Sequence, residues 1–304
     1  MSKKNHIRLV SNQNIDYKKW DACVERSASP KLYARSWYLD LVAEGWDAFI
    51  WGDYDFVMPL PVKSRWGIKY ISQPAYFQQA GIFPSPELEI QKQFARELHH
   101  TFRFIRYQIN ARNDAKAFEA FSTKEKTNFI LPLDRDYKTI ASGYARHTHR
   151  NLRTASKFHV STRKGLQIPE YLEAKQQVAG SFFSQTDYRV LHRLMEQCLT
   201  SEKGTFYAAY TRENILCAAA FFVFDGQRIY YLNSFSDPQG RKNMAMYPII
   251  DAVIQEYAHT GKTLDFEGSV LPTVAWFFRG FGPLAEKYYY IYSNRLPFVR
   301  KVMQ

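Results

Sequence analysis

No stretch of this 304-residue chain stays apolar for the roughly 20 residues that a bilayer-spanning helix needs; the longest run is the ten residues ILCAAAFFVF at 215–224. The N-terminus, MSKKNHIRLV, is polar and lacks the apolar core of a signal peptide, so a soluble cytoplasmic protein is expected. Cysteine is scarce. Cys23, Cys198 and Cys217 stand apart among apolar neighbours, which speaks against a disulfide framework or a zinc site and for buried thiols. His6, His99, His100, His192 and His259 do not converge on a ligand spacing either, so no metal is expected. Low-complexity tracts are missing. Acidic residues run short, 29 Asp and Glu against 41 Lys and Arg, and the resulting charge of +12 favours anionic partners such as phosphates, nucleic acid or lipid headgroups.

What the chain does have is apolar and aromatic content, 46% and 16%, enough for a substantial core and about two domains. An internal repeat supports that count. AFIWGDYDFVMPLPV at 48–62 reads as two extended runs about a turn, followed by IKYIS; FYAAY, ILCAAAFFVF and RIYYLNSF repeat the pattern later, so each region is expected to be a three-stranded meander. A helical segment follows each, at 87–104 and 244–261, and then a strand, RYQIN or KTLDFE. The repeat length is about 160 residues. Two copies of one mixed α/β unit are expected, residues 1–140 and 141–304, the second prefaced by helices near 170–183 and 187–199.

Two segments concentrate the chemistry. In RHTHRNLRTASK the cations Arg146, Arg150, Arg153 and Lys157 fall four, three and four apart, so one helix face carries a row of like charges that an anion would relieve. The other segment is LDFEGS at 264–269, a strand end where alternation places Asp265 and Glu267 on one face before Gly268. Such carboxylates can accept a proton or hold an ammonium group; they can equally cap a helix or pair with Arg279.

Meander, helix, strand, helix, strand is the order of the GNAT N-acyltransferase fold. The sequence resembles the Fem-type branch, in which two GNAT-like domains lie in tandem: peptidoglycan-bridge aminoacyltransferases and related acetyltransferases. Two stretches carry the resemblance, RHTHRNLRTASK at the domain junction and DFEG followed by FRGFG near the end. It implies an α/β fold of two tandem GNAT-like domains, the second holding the donor site. It also implies transfer of an acyl or aminoacyl group from an acyl-CoA or aminoacyl-tRNA co-substrate to an amine, with no covalently bound cofactor. The acceptor is then a small-molecule or peptidoglycan-precursor amine in cell-envelope metabolism, and tRNA is a candidate partner. Asp265 and Glu267 become the catalytic candidates; Asn233, Ser234, Gly240, Arg241, Lys242 and Arg279 become donor-binding candidates. Arg146, Arg150, Arg153 and Gln78 are candidates for acceptor or phosphate binding. The loop SFSDPQGRKNMAMYP has one glycine where the acetyl-CoA loop of the fold has two around a basic residue, which leans the donor toward aminoacyl-tRNA. No Cys or Ser lies in a nucleophile motif, so direct attack by the amine is expected. The alternative is a non-catalytic nucleic-acid- or partner-binding protein on the same scaffold.

Overall fold

The computed structural model describes residues 6–180, 183–268 and 271–296. The chain divides into two compact units, Met1–Lys126 together with Lys287–Gln304, and Thr127–Glu286. This division differs from a joint at residue 140: it falls after Lys126, and the described residues 287–296 group with the N-terminal unit.

The N-terminal unit opens with β1 (Ile7–Val10), α1 (Tyr17–Glu25), α2 (Ser36–Val42), β2 (Asp47–Trp51) and β3 (Phe56–Leu60). Strands β1, β2 and β3 form one antiparallel sheet, and β2 is buried along its whole length. After β3 the chain leaves that sheet at Pro61, which has no N–H to continue a ladder. Strand β4 (Val62–Arg65) and β5 (Ile68–Ser72) then make a separate hairpin, so the first expected meander is split between two sheets. Helix α3 (Leu88–Thr101) leads to β6 (Phe104–Ile109), which lies parallel to β5.

In the C-terminal unit the order is the second half of β7 (Ser122–Pro132), α4 (Tyr137–Ser142), α5 (Arg146–Lys157), β8 (Ser161–Lys164), α6 (Ile168–Ala179), α7 (Gln185–Thr200), β9 (Gly204–Tyr210), β10 (Leu216–Asp225) and β11 (Arg228–Ser236). Then come α8 (Pro238–Lys242), α9 (Met246–Tyr257), β12 (Thr263–Asp265), α10 (Pro272–Arg279) and the start of β13 (Leu284–Asn294). The remainder of β13 pairs with β6 in the N-terminal unit. The expected second meander is present: β9, β10 and β11 are consecutive antiparallel strands. Strand order here is β7-β12-β11-β10-β9-β8.

Helical spacing of Ile249, Ile250, Val253 and Ile254 turns one face of α9 onto the sheet, where it meets Phe222, Ile229 and Leu264. Each such side chain contributes about 1.5–3 kcal/mol when fully buried, which fixes α9 and, with it, the chain entering it. Helix α7 is started by a reciprocal cap between Ser184 and Asp187. Among the described residues no helix is long and apolar enough to cross a membrane.

Candidate functional site

Strand β11 is paired with β12 over Arg228, Ile229 and Tyr230, and from Tyr231 onward no strand among the described residues is paired on that side. Its register against β10 also slips: Phe221 faces Asn233 and Phe222 faces Tyr231, so Leu232 is an unmatched extra residue. The open edge borders a cavity of about 740 Å³, lined by Tyr231, Ser234 and Phe235 from β11, Met244 and Tyr247 at the entry to α9, and Trp276 and Phe277 from α10. Its walls are mostly apolar. The Tyr231 hydroxyl is paired with the Ser234 side chain, and burial holds the phenol above its usual range, so it stays protonated at neutral pH.

Beside that cavity runs α5. The helix has few apolar residues and is held by polar contacts instead: Thr148 Oγ1 donates to the Gly280 carbonyl at 2.8 Å, and Asn151 pairs with the Tyr247 hydroxyl. Its outer face is the expected cation row. Arg146, Arg150 and Arg153, with His147, line a second hollow of about 420 Å³, and among the described residues no carboxylate pairs with any of the three arginines. The His147 ring stacks on Trp276 with centroids 3.8 Å apart and planes 19° apart, so one ring pair links the lining of the arginine hollow to that of the apolar cavity. Burial, and then Arg150, hold this imidazole below the usual histidine range.

Asp265 is placed differently from the expectation. It is 1% exposed, receives hydrogen bonds from Asn128 Nδ2 (2.9 Å) and the Glu267 N–H (2.9 Å), and pairs with Arg228 Nη1 at 2.7 Å. Arg228 reaches on to Glu286 at 3.5 Å. A carboxylate so enclosed is a structural ion pair, and it does not line the cavity. Glu267 does not share its face: β12 ends at Asp265, and Glu267 (φ 58°) and Gly268 (φ 59°) both turn left-handed. Gly268 is required there, since a Cβ would lie 2.4 Å from the Thr127 carbonyl. Ser269 lies outside the described residues. Arg279 is exposed, 5.7 Å from the Phe129 ring.

Of the donor candidates, Ser234, Gly240 and Arg241 line the cavity, while Asn233 and Lys242 do not. The Asn233 Oδ1 accepts from the Tyr171 hydroxyl at 2.7 Å, and Lys242 is exposed. At the connection into α9 the Asp237 carboxylate caps the five-residue α8 by accepting from the Gly240 N–H at 2.5 Å, and so already occupies that backbone donor. Gly240 is small for a different reason: a Cβ would lie 2.2 Å from the Cys217 carbonyl. Arg241 Nη1 is turned to the Ser236 carbonyl at 2.5 Å, and Met244 and Met246 cover the start of α9.

Gln78 belongs to the N-terminal unit, where its Oε1 accepts from Gln79 and its carbonyl from Gln73. All three thiols are buried, and burial pushes them up to about 11 for Cys23, 12 for Cys198 and 11 for Cys217, which argues against a thiolate nucleophile. Among the described residues no group of His, Cys, Asp and Glu could hold a metal ion. Sequence reasoning missed Lys175, which is 5% exposed, donates to the Ser234 carbonyl at 2.9 Å and is pushed down to about 8 by burial. It also missed His147 and Trp276, whose pairing follows from no local spacing.

No family model matches the sequence, and no curated protein matches it. Solved structures do. The chain is similar to FemX (14% identity, TM-score 0.62, 91% of this chain and 96% of that one) and to a tandem GNAT protein from the clavulanic acid biosynthesis pathway (11%, 0.55, 97% and 100%). It is also similar to L-PGS from Bacillus licheniformis (12%, 0.53, 93% and 93%). At these identities the likeness is one of fold: two GNAT-like domains in tandem, as in the Fem proteins.

Proposed function

We propose that this protein is an N-acyltransferase, moving an acyl or aminoacyl group from an activated donor to an amine. The observation that carries this reading is the apolar cavity opening at the unpaired edge of β11. Backbone donors along such an edge suit the oxygen of an acyl carbonyl, which gains negative charge as the amine attacks. Tyr231, neutral and lining the cavity, is suited to donate a hydrogen bond to the departing group as it gains negative charge. The amine attacks the acyl carbon directly, in keeping with three buried, protonated cysteines. Asp265 serves this reading as a structural group, tying the end of β12 to Arg228 and Asn128. The arginine row on α5 takes the anionic part of a substrate, and the acceptor is a small-molecule or peptidoglycan-precursor amine, which would place the reaction in cell-envelope metabolism.

Incubation with acyl thioesters and charged tRNA over a panel of amines, read by mass spectrometry, is expected to yield an amide. Tyr231→Phe should lower kcat on the order of a hundredfold with KM little changed. No amide from any donor would overturn the reading. The unpaired arginines favour a second one, a non-catalytic nucleic-acid- or partner-binding protein.

A further inference from the structure

The two hollows are chemically opposite. One is apolar, bordered by Met244, Phe235 and Phe277, with Trp276 at its rim 48% exposed. The other is framed by three arginines that have no carboxylate partner among the described residues. His147 lines the arginine hollow, Trp276 lines the apolar one, and the two rings are stacked. At about 740 Å³ the apolar cavity lies in the range of pockets that enclose drug-sized ligands, roughly 300–1,000 Å³, and a two-carbon acyl group would leave most of it empty. Its polar groups are few, which suits a hydrocarbon chain better than a nucleobase or a charged aminoacyl group. Three guanidinium groups lining one hollow suit a phosphate.

We infer that the transferred group is a long fatty-acyl chain lodged in the apolar cavity, and that the phosphate of its thioester carrier rests on Arg146, Arg150 and Arg153. This rests on the acyltransferase reading and narrows it. In the step itself the amine nitrogen bonds to the thioester carbon and the carbon–sulfur bond breaks. The sulfur leaves as a thiolate that accepts a hydrogen bond from the Tyr231 hydroxyl, the proton lost by the amine reaches it through solvent, and the products are a fatty amide and a free thiol. Because Asp237 already occupies the Gly240 N–H at the connection into α9, the nucleotide end of coenzyme A adds nothing to recognition. A phosphopantetheine arm alone contains every feature the site reads.

Calorimetric titration of the full chain with dodecyl phosphate, dodecanol and inorganic phosphate tests the pairing of chain and charge. Dodecyl phosphate is expected to bind, the other two at least tenfold more weakly. Arg150→Ser with Arg153→Ser, and separately Thr273→Trp to fill the cavity, should each weaken binding by on the order of tenfold. Thermal unfolding of each variant identifies misfolding, and a pair of folded variants with unchanged affinity would sink the inference. The source is distinguished by dodecanoyl-phosphopantetheine, dodecanoyl-CoA and phosphatidylglycerol vesicles. Equal affinity for the first two supports a carried thioester; capture by vesicles alone, or by tRNA alone, overturns it. Transfer of acetyl or aminoacyl groups in preference to dodecanoyl would refute the long-chain assignment while leaving the acyltransferase reading intact. Binding of dodecyl phosphate with no transfer from any donor would instead refute that reading, and the transfer part of this inference with it.

Discussion

Asn128 and Arg228 hold the Asp265 carboxylate from either side in a place that water does not reach. Replacing it with asparagine leaves the Arg228 guanidinium buried with Glu286 as its weaker carboxylate partner at 3.5 Å. Breaking a buried pair in this way costs about 3–5 kcal/mol, so Asp265→Asn should lower the denaturant midpoint by an amount worth about 3 kcal/mol. An inactive variant of undiminished stability would return Asp265 to the reacting atoms. Lys175 gives a test of opposite sign. Its charge is opposed by burial, which moves the ammonium group from 10.5 down to about 8. The unfolded chain therefore holds the extra proton between those two values, and stability should rise with pH across that window. Below pH 8 the full cost of burying the charge is present. Lys175→Met should be more stable than the natural chain by about 2 kcal/mol at pH 7, and the difference should fade toward pH 10.5 when both are unfolded by urea.

Helix α5 depends on the end of α10. The Gly280 carbonyl receives both the Ala145 N–H at 2.9 Å and Thr148 Oγ1, and its Cα has no room for a side chain: a Cβ would lie 2.4 Å from Thr148 Oγ1 and 2.6 Å from His147 Nε2. Gly280→Ala should therefore cost about 1–3 kcal/mol, seen as a lowered Tm, and should push His147 off Trp276, seen as altered Trp276 fluorescence. Much of this element was legible beforehand. The cation row on α5, the second meander and the apolar face of α9 all follow from spacing within one segment. What stayed hidden depends on register between distant segments. Arg228 meets Asp265 because β11 runs parallel to β12 with Tyr230 opposite Asp265, which sets Arg228 on the same face one pair away; nothing in DFEG or FRGFG announces that pairing. The open edge of β11 is similar, since it exists only because β12 stops after three residues. Alternation carried Glu267 too far for the same reason, by assuming a strand two residues longer than the one formed.

At the scale of the whole chain the charge of +12 favours anionic partners in general and does not by itself say which anion is used. Ionic strength separates the two readings of that charge. A polynucleotide held by six to ten phosphate contacts loses roughly 10³–10⁵ in affinity between 50 and 200 mM salt. A single phosphate on Arg146, Arg150 and Arg153, with most of the binding free energy coming from a buried chain, is screened far less, since burial of hydrocarbon does not weaken with added salt. Titration of dodecyl phosphate at 50 and 200 mM sodium chloride should therefore show less than about a tenfold loss of affinity. Weak binding of dodecyl phosphate at both concentrations, beside tight and steeply salt-dependent binding of RNA, would assign the arginine row to nucleic acid and leave the apolar cavity without a ligand.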